Sequence, residues 1–190
     1  MPGVKNLAAG ALPKEQTVDA RSRLGALMRA HGDGVYAYCV RMLRDAPLAA
    51  DVLQQVFEQA YRDIGTLRDE RQARSWLFGI AHHRCQDALK ARKRRETRLS
   101  GEPDALDAMP DSQPDALERV AASEVARALD ACVRELSAES RTAVLLRFQE
   151  GMTYEHMATV CSEKPATLQA RVTRALPVLR RCLEAKGVEL

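Results

Sequence analysis

The sequence predicts an all-α protein of two small helical domains joined by an acidic, proline-containing linker. Its 190 residues are 46% hydrophobic and 29% charged, a balance typical of globular domains, whereas aromatic residues make up only 4%. Alanine and leucine are abundant, and both favour helix over strand. Apolar residues recur at three- and four-residue steps through most of the chain. This length leaves room for one ordinary domain or two small ones.

Three helices are predicted in a first domain, residues 21–98. Two amphipathic helices flank a break at Asp45 to Pro47, because proline is poorly tolerated inside a helix. A third helix is expected from about Ala73 to Arg95. Trp76 lies on the apolar face of this helix and is expected to be a core residue, whereas another edge becomes progressively more basic along the chain.

Charge divides the chain into three parts. Residues 1–98 hold 18 Lys and Arg against 11 Asp and Glu, residues 99–140 hold 3 against 10, and residues 141–190 hold 8 against 5. Two basic parts separated by an acidic one indicate two surfaces for a polyanion. Nucleic acid is therefore the first candidate partner.

Two segments are expected to remain outside the domains. Residues 1–20 are predicted to be disordered, and residues 99–115 to form a linker, since they contain three prolines, five acids and no basic residue. Such a linker should leave the relative orientation of the two domains variable in the free chain. The chain shows no sustained apolar run, so we expect a cytoplasmic protein without direct membrane insertion.

The second domain, residues 116–190, is predicted to hold four helices. Ser137 and Thr153 are suited to cap helices, and Gly151 suits a left-handed position at a helix end. A short helix after Thr153, a tight turn and a longer helix beginning near Pro165 indicate a helix-turn-helix.

The last helix has a predicted buried face and a predicted outward face. The buried face should carry Leu168, Val172, Ala175, Leu176, Leu179 and Leu183. The outward face, with flanking positions, comprises Thr167, Gln169, Ala170, Arg171, Thr173 and Arg174. Pro177 should kink the helix or end it near Ala175, because an internal proline removes a backbone hydrogen bond.

Cysteine and histidine offer little support for other chemistry. The five cysteines are scattered singly, so we expect them to be reduced and mostly in the core. His82, His83 and Cys85 are close in sequence, but residues 82 and 83 point to different sides of a helix, a poor arrangement for zinc. Nucleotide-binding and serine-hydrolase motifs are missing, so an enzyme is not expected.

Three stretches, in order around the acidic linker, resemble those of extracytoplasmic-function sigma factors, the compact promoter-recognition subunits of bacterial RNA polymerase. AADVLQQVFEQAYR (Ala49 to Arg62) resembles the polymerase-binding helix of the first domain in that family. RSWLFGIAHHRCQDALKARKRR (Arg74 to Arg95) resembles its promoter-opening helix. Residues 136–176 resemble its second domain, a four-helix, winged-helix-like helix-turn-helix domain. The resemblance covers residues 24–186.

The resemblance implies that Asp51, Gln54 and Gln55 bind the clamp helices of core polymerase. Their spacing lets one helix face carry all three side chains. The alternative interpretation is an ordinary solvated helix face.

The resemblance also implies DNA contacts in the first domain, where a base of the minus-ten element is flipped and the displaced strand is held. The candidate side chains are Arg68, Arg71, Arg74, His83, Asp87, Lys90, Arg92, Lys93, Arg94 and Arg95. His83 stands where the family usually has asparagine, and it could instead be a partly exposed helix residue. The basic run could instead complement the helix dipole as a solvated end.

In the second domain the resemblance implies contacts to the minus-thirty-five element. The candidates are Thr167, Gln169, Ala170, Arg171 and Arg174. Gln169 and Ala170 make this face less basic than is usual in the family, so few phosphate contacts are expected there.

The predicted function is therefore that of a sigma factor that directs polymerase to promoters. Its implied partners are the clamp helices and flap of core RNA polymerase, promoter DNA and a cognate anti-sigma factor, and no metal, cofactor or small-molecule substrate is implied. One alternative is a sigma-like interaction protein that sequesters a sigma partner, such as an anti-sigma factor, without directing transcription. Another is a helix-turn-helix repressor, which would leave residues 24–95 unexplained.

Overall fold

The chain folds into seven α-helices in the residues that the structure describes, 14–100 and 124–188, with no strand among them. The structure is a computed structural model. The helices are α1 (Lys14–Leu43), α2 (Ala46–Asp63), α3 (Ala73–Ser100), α4 (Glu124–Glu135), α5 (Ala138–Val144), α6 (Tyr154–Cys161) and α7 (Pro165–Ala185). None of these helices has the length and apolar character needed to cross a membrane. The predicted all-α fold class is confirmed.

The first domain consists of α1, α2 and α3 packed around a shared core. The α1–α2 break lies where it was predicted: Asp45 caps α2, its Oδ1 accepting a hydrogen bond from Leu48 N at 2.9 Å, and Pro47 lies in the first turn. Val52 and Val56 of α2 are buried in this core. Two short 3-10 turns, Ile64–Thr66 and Glu70–Gln72, connect α2 to α3.

Two helices extend further than the sequence predicted. α1 begins at Lys14, inside the segment expected to be disordered, and Ala20 is buried in a small cluster with Ile64 and Leu67 of the connection after α2. α3 continues to Ser100, because residues 90–98 are mostly strong helix formers without glycine or proline. The remainder of the predicted disordered segment and linker falls outside the described residues.

The second domain consists of α4 to α7, and its predicted caps are confirmed. Ser137 Oγ accepts a hydrogen bond from Ser140 N, and Thr153 Oγ1 accepts one from His156 N, each at 3.3 Å. α5 continues into a π-helical turn, Leu145–Gln149, and Gly151 then has a φ of +61°. α6 and α7 form the helix-turn-helix.

The alternative that α7 ends near Ala175 was wrong, and so was the expected burial of Leu176. The helix passes through Pro177 without ending and reaches Ala185. Thr173, whose carbonyl loses its usual donor at position 177, lies on the exposed face, so water can replace that hydrogen bond. Leu176, expected in the core, is 46% exposed.

The expectation that all five cysteines are reduced was also wrong. Cys132 of α4 and Cys182 of α7 form a disulfide with a Cα–Cα distance of 5.8 Å. The two cysteines are 50 residues apart in sequence and come together because α4 packs against α7. No local sequence motif therefore predicts the disulfide. Cys39, Cys85 and Cys161 are free and buried, as expected of core residues.

The two domains pack against each other through one continuous apolar core, which the sequence did not predict. α6 lies against α3, with the backbone of Val160 facing Gly79. The buried Arg141 joins the end of α1 to the turn between α4 and α5. Its guanidinium donates to the backbone oxygens of Met42, Val133, Arg134 and Leu136 at 2.7–3.2 Å.

Candidate polymerase and nucleic-acid interfaces

The predicted polymerase-binding residues share one exposed face of α2. Asp51, Gln54 and Gln55 are all exposed, whereas Val52 and Val56 on the other side of the helix are buried. Gln54 Nε2 donates a hydrogen bond to Oε1 of the next-turn Glu58 at 2.9 Å. The face therefore presents a carboxylate and two amides without contributing to the core.

A cavity of about 520 Å³ lies between the end of α2, the 3-10 turns and the first half of α3. Arg68 lies exposed at its wall, Trp76 is half-buried there, and His83 is exposed, with Nδ1–H donating to Gly79 O at 2.7 Å. Trp76 is thus less buried than a core residue. Thr159 of α6 closes one side of the cavity.

The three arginines predicted to hold the displaced strand, Arg68, Arg71 and Arg74, have different environments. Arg71 is exposed and forms an ion pair with Asp69, Nε to Oδ1 at 3.1 Å, and its hydrogen bonds hold the pKa of Asp69 below its usual value. Arg74 instead contacts the second domain, with Nη2 2.7 Å from Oε2 of Glu150. Of these three arginines, Arg68 lines the cavity, whereas Arg74 is paired with the second domain.

The end of α3 carries most of the predicted phosphate contacts. Exposed side chains at these positions are Asp87, Lys90, Lys93, Arg94 and Arg95, and Arg92 is half-buried. Lys90, Lys93 and Arg94 also surround a shallow depression with Thr97 and Arg98. A polyanion approaching this half of α3 meets basic side chains over about two helical turns.

On α7 the predicted contacts are only partly available. Gln169, Ala170 and Arg174 are exposed, and Thr167 is half-buried. Arg171 forms an ion pair with Glu163 of the preceding turn, Nη1 to Oε1 at 2.7 Å, with both side chains mostly covered. In this structure Arg171 therefore links α7 to the turn that precedes it in the helix-turn-helix.

The His82, His83 and Cys85 group does not converge on a common point. His82 is buried, with Nδ1–H directed to Tyr38 Oη at 3.0 Å and Nε2 facing Gln86 Nε2 at 2.9 Å. A hydrogen bond with Cys39 raises the pKa of the Cys85 thiol, and burial adds to the effect. Over residues 14–100 and 124–188, no three metal-ligating side chains lie close enough to hold an ion.

Sequence reasoning missed an apolar groove of about 670 Å³ on the second domain, between α4, the π-helical turn and α7. Leu129, Phe148 and Leu176 line it and are each more than 40% exposed. Arg41, Asp130 and Arg180 supply charge at its walls. The sequence feature that could have indicated this groove is Phe148, an aromatic residue three positions before the helix-ending Gly151.

Comparisons with known proteins agree with this division into domains. Residues 27–95 match the family model for Sigma-70 region 2, and residues 126–176 match the model for Sigma-70, region 4. The RNA polymerase sigma-H factor of Pseudomonas aeruginosa is 32% identical over 152 residues, which cover 76% of this chain and 78% of the relative. The chain belongs to the sigma-70 family, in its extracytoplasmic-function group.

Other relatives of this sigma factor extend the similarity over nearly the whole chain. The ECF RNA polymerase sigma factor SigK of Mycobacterium sp. (strain KMS) is 28% identical over 173 residues, 89% of this chain and 86% of the relative. A solved structure, the sigma factor RpoE of Bartonella quintana in complex with the anti-sigma factor NepR, shares the fold with a TM-score of 0.66 and 22% identity. That comparison covers 87% of this chain and 97% of the other. The protein is a transcription factor that directs RNA polymerase to promoters, and it is not an enzyme.

Proposed function

We propose that this sigma factor binds core polymerase through the polar face of α2 formed by Asp51, Gln54 and Gln55. The observation that carries the proposal is the exposure of all three side chains on one face while the same helix buries Val52 and Val56. A surface that is polar, exposed and dispensable for the core is suited to hydrogen bonding with a partner.

The first domain then opens and holds the minus-ten element. The 520 Å³ cavity beside Trp76 and His83 offers room, stacking surface and hydrogen-bonding groups for an unstacked base. Arg68, Arg71 and Arg74 would hold the displaced strand, and Asp87 and the basic side chains from Lys90 to Arg95 would lie along the duplex backbone.

The second domain reads the minus-thirty-five element through α7. Arg174 and Gln169 are exposed and can reach base edges, guanine and adenine respectively, whereas Thr167 and Arg171 lie at the flank of this face. Ala170 offers a methyl contact rather than charge.

Protein partners of the second domain would use the apolar groove, which can take a helix of the polymerase flap. A cognate anti-sigma factor is a further partner, because the solved relative RpoE is bound to one, NepR. We infer that the protein acts in the cytoplasm, where core polymerase and promoter DNA are found.

Binding to core polymerase tests the primary proposal. Asp51→Arg combined with Gln54→Ala should abolish capture of core polymerase in a pull-down with the purified chain, because it reverses charge on the proposed face. Asp33→Arg, at an exposed position of α1, is the control for an acid-to-arginine change and should leave capture unchanged. If the folded double variant captured core polymerase as well as the wild type does, this face of α2 would not be the polymerase-binding surface.

A further inference from the structure

Arg74, a proposed DNA contact, is held in this structure by the other domain. Its Nη2 lies 2.7 Å from Oε2 of Glu150, which follows the π-helical turn of the second domain. The Glu150 side chain is 7% exposed and that of Arg74 is 40% exposed. The carboxylate therefore lies at a buried junction between the domains.

Several neighbours shape this junction around the Glu150 carboxylate. Gln149 Nε2 donates to its Oε1 at 2.8 Å. Gly34 of α1 leaves space for it, since a Cβ at that position would lie 3.3 Å from Oε2. The Arg74 guanidinium lies 5.7 Å from the centre of the Phe78 ring. Contacts from α1, α3 and the second domain thus all meet at this ion pair.

The packed arrangement is too compact for both promoter elements to be bound at once. α3 contacts α6 and α6 contacts α7, so where they pack α3 and α7 are separated by roughly 20 Å, two helix-packing distances. Elements at minus ten and minus thirty-five are about 25 base pairs apart, roughly 85 Å along B-form DNA. The domains must separate before α3 and α7 can bind their two elements together.

We propose that Glu150 is an intramolecular latch: it binds Arg74 in place of a DNA phosphate and holds the sigma factor in a closed form that must open on a promoter. The proposal rests on the proposed function for its account of Arg74 and α7. A carboxylate and a phosphate present similar oxygens to a guanidinium, so the two compete for Arg74. The latch thereby couples exposure of a DNA contact to separation of the domains.

Other contacts also favour the closed form, which sets the size of the expected effect. Arg41 Nε lies 3.6 Å from Oδ1 of Asp130, and Arg141 donates to Met42 O at 3.0 Å. Loss of Glu150 alone should therefore shift the population toward the open form without separating the domains in every molecule.

Binding of a fluorescein-labelled 20-nucleotide single-stranded DNA to the full chain tests the competition. Glu150→Gln should bind about 3- to 10-fold more tightly than wild type, and the slope of log K against log salt should steepen by about 0.7 for one added phosphate contact. Glu139→Gln, at an exposed position of α5, removes the same charge without touching Arg74 and is the matched control. In an Arg74→Gln background, Glu150→Gln should add nothing beyond this control.

Energy transfer between dyes placed at the exposed positions Ser22 and Ala166 tests the separation directly. Glu150→Arg should lower transfer efficiency, and the swapped pair Arg74→Glu with Glu150→Arg should restore it. Comparing the transfer efficiency of Glu150→Arg with that of the swapped pair tests the latch even if Glu150→Gln disturbs folding.

Equal DNA affinities for Glu150→Gln and Glu139→Gln would overturn the latch. The latch would also be overturned if the double variant Arg74→Glu with Glu150→Arg gave the same low transfer efficiency as Glu150→Arg alone. Unchanged transfer efficiency in all variants would overturn it as well. Failure of the proposed function is a separate result: wild-type protein would then give no promoter-directed transcription with core polymerase, whatever the dye distances.

Discussion

At the scale of single residues, the buried His82 is an ionisable group held by hydrogen bonds at both ring nitrogens. It bridges Tyr38 of α1 and Gln86 of its own helix, and only 3% of its surface is exposed. Burial is the main cause that lowers the pKa of His82 to about 4, with the neighbouring His83 adding to the effect. The imidazole is therefore neutral in the folded protein at physiological pH.

This depressed pKa predicts a loss of stability in mild acid. In the unfolded chain His82 takes up a proton below pH 6.5, whereas in the folded chain it does so only near pH 4, so the unfolded state binds more protons between these values. The free energy of unfolding should fall by about 2 kcal/mol from pH 7 to pH 5.

Urea titrations at several pH values measure this effect. His82→Gln, which can keep hydrogen bonds but does not titrate, should flatten the pH dependence. The dependence should not vanish, since burial also lowers the pKa of His31. An equally steep fall in the variant would show that other groups cause it.

Single residues should also separate base reading from backbone binding. Arg174 is exposed on α7, so Arg174→Ala should change preference at one position of the minus-thirty-five element, by about 1 to 3 kcal/mol. Lys93→Ala with Arg94→Ala should instead weaken all promoters alike and flatten the salt dependence. Binding to single-base promoter variants at several salt concentrations checks both. Uniform weakening by Arg174→Ala would contradict its base-reading role.

At the scale of helices, features set by neighbouring residues could be predicted, and features set by distant ones could not. The Asp45 break and the Ser137 and Thr153 caps depend on hydrogen bonds within three or four residues, and they lie where the sequence indicated. Phe78 and His82 were not foreseen in the core, because α3 is covered on more than one side and its periodicity indicates only one stripe. The Cys132–Cys182 bridge and the apolar groove likewise depend on how α4 meets α7.

The disulfide between α4 and α7 should stabilise the second domain. It closes a loop of about 50 residues, for which a loss of about 2 to 4 kcal/mol is expected on reduction. Cys132→Ser with Cys182→Ser should lower the melting temperature to that of the reduced wild type. Thermal melting with and without a dithiol reductant measures this. A wild type that melts identically in both conditions would argue against the bridge.

Pro177 offers a test of how α7 tolerates an internal proline. Because the helix continues on both sides and the site is exposed, Pro177→Ala should restore a backbone hydrogen bond to Thr173 without disturbing the core. We expect a gain in stability of about 1 to 3 kcal/mol, measured by urea unfolding. A destabilised variant would mean that the proline ring makes a needed contact.

At the scale of the whole molecule, the sequence indicated two domains but not their contact. The acidic segment suggested variable orientation, yet the structure joins the domains through a shared core, the buried Arg141 and the Arg74–Glu150 ion pair. The Arg141–Met42 and Arg74–Glu150 contacts join residues 99 and 76 positions apart, and no local pattern encodes them. The exposed faces of α2 and α7 could be read from the sequence because each lies on one helix, whereas the contact between the domains could not.

Promoter-directed transcription with purified core polymerase tests the central claim most directly. With genomic DNA as template and sequencing of transcript 5′ ends, the wild-type chain should produce discrete start sites that core polymerase alone does not. Asp51→Arg with Gln54→Ala should remove those start sites, and Asp33→Arg should retain them. Wild-type protein that yields no new start sites, or a double variant that yields the same ones, would contradict the account.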